Sequence, residues 1–151
     1  MKTSIHYGSD TFEPRNYGSM KLRCLSYDKP TGLWASPIDS EWSWKDWCFS
    51  NNFHTERFDK SFQFTLKDDT KILKINRPED ISDYVIVIDE LSFSPEFPFY
   101  GLDLDRIYTE YDAMEVTMSD HWGDMHNHRI FYTWDCDSIV IWNREKIILT
   151  K

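Results

Sequence analysis

Apolar and polar positions alternate most cleanly at Phe62, Phe64 and Leu66, which are separated by Gln63, Thr65 and Lys67. A period of two marks a half-buried strand. Asp68-Asp69-Thr70 then turns the chain, and the return through Ile72, Leu73 and Ile75 predicts a hairpin over 62–75. Over 41–50 the period changes, with Trp44, Trp47 and Cys48 at i, i+3 and i+4, as on one face of a helix. Asp39 or Ser40 supplies an N-cap, and Glu41 suits the positive end of the helix dipole. The helix tryptophans are therefore expected to pack into the core.

Shorter runs fill out the chain. Thr3 to Tyr7, Lys21 to Tyr27 and Leu33 to Ser36 read as strands, the last entered through a Lys29-Pro30-Thr31-Gly32 turn. Pro78 to Tyr84 reads as a short helix opened by proline, and Leu102 to Tyr111 as another. Val85 to Ile88 fits a strand or a helix. Ala113 to Thr117, Ser138 to Trp142 and Glu145 to Thr150 read as strands. Ser92 to Tyr100 is expected as an irregular loop and Met118 to His128 as a long polar one. Few helices and short, scattered strands predict the α+β class. The expected form is one compact domain over 1–151, with two short, facing, mostly antiparallel sheets and two or three short helices.

Composition narrows the function. The 151 residues suffice for one core. Aromatic residues reach 17% of the chain; most stand at core-like positions, and such side chains also build flat-walled pockets for rings and sugars. Seventeen Lys and Arg against 26 Asp and Glu give a formal charge of −9, which argues against a broad nucleic-acid surface. Cys24, Cys48 and Cys136 are odd in number and lack CxxC spacing, so they support neither a disulfide framework nor a cysteine zinc site. No apolar run approaches the roughly 20 residues of a membrane span, and Met1 to Gly8 holds no apolar core of signal-peptide length. A cytoplasmic protein with no membrane partner is expected. GxGxxG, GxxxxGK[ST] and GxSxG are absent, so any nucleotide is held by other means.

Four groups of residues could carry chemistry. His6-Tyr7-Gly8 ends the opening strand, where an imidazole beside a bare backbone can meet a ligand. Trp34 and Ser36 offer a flat wall and a hydroxyl on a strand framed by prolines. Glu115 and Asp137 lie in apolar strand contexts, where a charge is costly unless it is paired or used. His121, His126 and His128 crowd one loop; in an extended segment the last two share a face, as metal ligands require. Their spacing matches no metalloenzyme signature, so a solvated loop competes with that reading.

Taken in order, His6-Tyr7-Gly8, the block Lys29-Pro30-x-Gly32-Leu33-Trp34-x-Ser36-Pro37, Trp44-Lys45-Asp46-Trp47-Cys48, Tyr111-Asp112-Ala113-Met114-Glu115-Val116 and Trp134-Asp135-Cys136-Asp137-Ser138 resemble an uncharacterised family of small bacterial and phage proteins. The chain also resembles the ADP-ribosyltransferase fold, which holds NAD between two sheets without a dinucleotide motif. By that resemblance His6 meets a ribose hydroxyl, while Tyr7 and Gly8 continue the NAD site. Ser36 and Trp34 then sit beside nicotinamide, and Glu115, or else Asp137, stabilises the oxocarbenium ion. The middle strand departs from that pattern in reading Trp34-Ala35-Ser36, and Ala113 stands where many transferases carry a second Glu or Gln.

Three functions follow as expectations. The first is an ADP-ribosyltransferase-like protein that binds NAD and modifies a macromolecular acceptor. The second is a non-enzymatic acidic protein that inhibits a host factor, acting in the host cytoplasm if phage-encoded. The third is a metal-dependent hydrolase built on the 121–128 histidines.

Overall fold

The computed structural model describes residues 2–12 and 27–150. Nine strands run through them: β1 (Thr3–Tyr7), β2 (Leu33–Pro37), β3 (Ser61–Leu66), β4 (Ile72–Ile75), β5 (Val85–Val87), β6 (Tyr100–Leu102), β7 (Ala113–Val116), β8 (Ser138–Ile141) and β9 (Ile147–Leu149). Three α-helices join them: α1 (Trp44–Ser50), α2 (Leu104–Glu110) and α3 (Trp122–His126). The class is α+β. Seven strands form one sheet in the order β4-β7-β8-β2-β1-β3-β9, and β5 and β6 form a second. Only the β4–β7 pair is parallel. The strand expected over 21–27 lies outside the described residues, apart from Tyr27. No helix of the described residues is long and apolar enough to cross a membrane.

Alternation assigns each face of the large sheet to its own apolar cluster. Leu33, Ala35, Phe64, Ala113, Ile139 and Ile141 pack on one face. On the other, Met114, Val116 and Val140 pack with Ile107 and Tyr108 of α2, Met125 of α3, and Phe131 and Trp134. Asp103 caps α2 by accepting from the Arg106 N–H. Gly32 (φ +153°) brings the chain against β8: a Cβ there would lie 2.3 Å from the Ile141 carbonyl oxygen.

The hairpin expected over 62–75 does not form, although both of its strands do. β3 pairs with β1 on one side and β9 on the other, while β4 crosses to the far edge beside β7. The edge of β3 that a hairpin would use is taken by Ile147, Ile148 and Leu149, and the Lys67 N–H already bonds the Lys146 carbonyl. Helix α1 also starts later than expected. Ser43, not Asp39 or Ser40, is its N-cap, in a capping box with Asp46.

The polar loop expected over 118–128 is largely helical. A 3₁₀ turn at Ser119–His121 runs into α3, and i,i+4 spacing stacks Trp122 on His126, with ring centroids 4.9 Å apart. Segment 92–100 is irregular up to Phe99, and Tyr100 opens β6.

Candidate functional site

The site begins where β1 and β2 part. They pair only through Ser4↔Pro37 and Ile5↔Ser36. Before that point β2 belongs to β8, with Trp34 opposite Val140, whereas β1 runs on along β3, with His6 opposite Phe62 and Tyr7 opposite Ser61. The strands therefore open like a fork. His6 Nδ1 stands 2.7 Å from the Trp34 carbonyl oxygen and closes the base of the fork. A carbonyl only accepts, so this contact assigns a proton to Nδ1. Burial holds the imidazole below its ordinary pKa, against the opposing pull of that hydrogen bond, so His6 is neutral at pH 7.

A cavity of about 410 Å³ fills the fork, within the range of small-molecule sites. Its walls include Tyr7 and the indoles of Trp34, Trp44 and Trp134, the first and last in tilted contact at 5.1 Å. Ser36 Oγ also lines it and accepts the Trp44 N–H at 3.1 Å. That leaves the Ser36 hydroxyl proton without an acceptor among the described residues, on a residue only 1% exposed. Lys29 reaches the lining through its Nζ, which donates to the Thr133 carbonyl at 2.9 Å.

Of the residues singled out in the sequence, His6, Tyr7, Trp34 and Ser36 meet in this cavity. Gly8 lies just beyond, in an adjoining compartment that shares His6, Tyr7 and Trp44 with it.

Glu115 is not brought there. Its register partner is Ile139 on β8, and it is not among the residues that line the cavity. Its carboxylate accepts from Lys2 Nζ at 3.1 Å. Asp137 does not line the cavity either. Its Oδ1 accepts the Met118 and Ser119 N–H groups at 2.7 and 2.8 Å, and its Oδ2 accepts the Ser119 and Ser40 hydroxyls.

Among the described residues, the carboxylate that does line the cavity is Asp135. In the sequence it stands in the Trp134-Asp135-Cys136-Asp137-Ser138 block, one residue before Cys136. In an extended Asp-Cys-Asp run Asp135 and Asp137 tend to one side, and only the donors waiting at 40 and 118–119 separate their roles. Trp44, expected in the core, instead forms part of the cavity wall and stacks on Trp47 at 5.2 Å. Cys136 also lines the cavity, yet burial pushes its thiol up to about 12 and leaves no thiolate at neutral pH.

The histidines of 121–128 do not gather. His126 stacks on Trp122, His128 Nδ1 accepts the Ile130 N–H, and His121 Nδ1 is buried without a hydrogen-bond partner among the described residues. No cluster of three or more His, Cys, Asp or Glu able to hold a metal ion occurs among the described residues. No protein-family model, curated protein or solved structure matches the chain.

Proposed function

We propose that this chain is an ADP-ribosyltransferase-like protein that binds the nicotinamide riboside half of NAD in the fork between β1 and β2. The observation that carries the reading is the meeting of His6, Tyr7, Trp34 and Ser36 in one cavity of about 410 Å³. A planar ring is held against indole walls by dispersion and quadrupole contacts. The buried Ser36 hydroxyl offers its proton to a carboxamide oxygen, and neutral His6 meets the ribose. Asp135 is the carboxylate placed to stabilise positive charge on the ribose as the C1′–N1 glycosidic bond breaks. The bonding electrons leave with nicotinamide. ADP-ribose then passes to a nucleophile on a macromolecular acceptor, which loses a proton, or to water.

Calorimetric titration with NAD and with nicotinamide riboside tests the binding step, and nicotinamide release tests the chemistry. Trp34→Ala and Ser36→Ala are each expected to weaken binding about tenfold. Asp135→Asn is expected to slow release about 100-fold, whereas Glu115→Gln leaves it unchanged. Absence of binding by either ligand overturns the reading. Binding with no release, in the presence of acceptor extract, removes the transferase step and leaves a binding protein.

A second reading rests on a separate surface. Phe93 is 91% exposed and Phe97 67%, and their rings meet edge to face at 6.3 Å. Between Arg77 and Arg106 the chain has eight carboxylates and no Lys, Arg or His. An apolar strip in an acidic field fits a basic partner with an apolar face, as a non-enzymatic inhibitor of a host factor requires. Complexes that form equally well with Phe93→Ser/Phe97→Ser, or that ignore ionic strength, argue against it.

A further inference from the structure

The second compartment of the fork has a different character from the first. It measures about 410 Å³ and is lined by Gly8, Ser9, His54 and Arg57 as well as by the shared His6, Tyr7 and Trp44. Those three shared side chains make the two compartments neighbours, so a ligand long enough to pass them would reach both.

Three features give the compartment its chemistry. Arg57 is exposed, and its guanidinium makes no hydrogen bond or ion pair among the described residues. A five-donor planar fork in that state is the group best matched to a phosphate. Lys45 adds a second cation nearby, with Nζ 6.0 Å from the Tyr7 ring centroid. Gly8 has φ +104°, and a Cβ built there meets nothing within 4 Å, so bare backbone borders open space. Glu56 is the neighbouring carboxylate, and its Oε1 lies 3.6 Å from His54 Nδ1. Arg57 also attracts the Glu56 carboxylate at longer range, but in a chain of net charge −9 an arginine without a close ion pair among the described residues, against an open cavity, runs counter to the overall field.

We infer that this compartment is an anion subsite, in which Arg57 takes the pyrophosphate of a ligand whose ring and ribose lie in the first compartment. This rests on the nicotinamide reading for the identity of the ring, but not for the presence of the anion site.

The test compares NAD, nicotinamide riboside and inorganic pyrophosphate on the wild-type chain, Arg57→Ala and Arg57→Lys. Arg57 is exposed, and near-UV circular dichroism confirms that the variants keep the fold. NAD is expected to bind wild type about tenfold more tightly than the riboside. Arg57→Ala should erase that advantage while holding riboside affinity within about twofold, and Arg57→Lys should recover part of it. An unchanged NAD-to-riboside ratio in Arg57→Ala overturns the subsite and leaves the ring site standing. If neither nicotinamide ligand binds, pyrophosphate decides. A pyrophosphate-dependent amide shift at Gly8 that vanishes in Arg57→Ala keeps the subsite and discards the nicotinamide reading. No pyrophosphate-dependent shift overturns the subsite.

Discussion

Replacing Asp137 gives the sharpest test of how the segment behind the cavity is held. The residue is 4% exposed, and its carboxylate accepts four hydrogen bonds, from the Met118 and Ser119 N–H groups and the Ser119 and Ser40 hydroxyls. Asp137→Ala leaves the buried Met118 N–H without an acceptor, at a cost of about 1–3 kcal/mol. The other three donors are partly buried and recover some hydration. Adding the space left by the carboxyl group, the total is about 3–5 kcal/mol, as for other broken buried networks.

Asp137→Asn is expected to behave differently. Its amide oxygen keeps both backbone N–H groups, and the two serine hydroxyls rotate to accept from its NH₂, so about 1–2 kcal/mol is lost. Urea unfolding followed by far-UV circular dichroism measures both. Thermal midpoints should fall by roughly 10 °C for the alanine variant and roughly 4 °C for the asparagine variant. An alanine variant within about 1 kcal/mol of wild type, or two variants that are equally unstable, would refute the assignment of Asp137 as a staple.

Three further outcomes follow from the same geometry. Gly32→Ala drives a methyl group to 2.3 Å from the Ile141 carbonyl oxygen and should cost about 3 kcal/mol or more in urea unfolding, with loss of the β2–β8 register. Burial holds His6 and His128 below the ordinary imidazole value of 6.5, so just below that pH the unfolded chain binds more protons than the folded one. Their contribution is complete above about pH 6.5 and lost as the solution is acidified; His6→Asn should flatten the slope of stability between about pH 7 and about pH 5. Cys136, buried and pushed up to about 12, should resist iodoacetamide in the folded protein and react only once denaturant is added, as peptide mass mapping would show.

Local pattern was enough to find most strands and not enough to pair them. Phe62, Phe64 and Leu66 announce β3, but its partner at Ile147–Leu149 lies some 80 residues away, and nothing local tells that strand from the nearer β4. The i, i+3, i+4 stripe correctly makes Cys48 the buried residue of α1. Trp44 escapes that rule because it is the first residue of the helix, where the chain still faces the fork and its N–H bonds Ser36 rather than the helix. Residues at strand ends were legible as site candidates, since a strand that stops beside glycine or proline presents its last side chains to a gap. The separate fates of Asp135 and Asp137 were not legible, because they depend on hydroxyl and amide donors that the fold brings from 40 and 118–119.

The position of β2 has a consequence for how the protein is made. Its two neighbours in the sheet are β1, at Thr3–Tyr7, and β8, at Ser138–Ile141. While a ribosome has delivered only the first 130 residues, β2 has one edge without its ladder, and Trp134 and Asp135 are not there to wall the cavity. A central strand with an unsatisfied edge is the kind of surface that recruits other nascent chains. The cavity therefore closes only once 133–141 have been made, and slowing translation through 133–141 should lower soluble yield more than slowing it through 61–75.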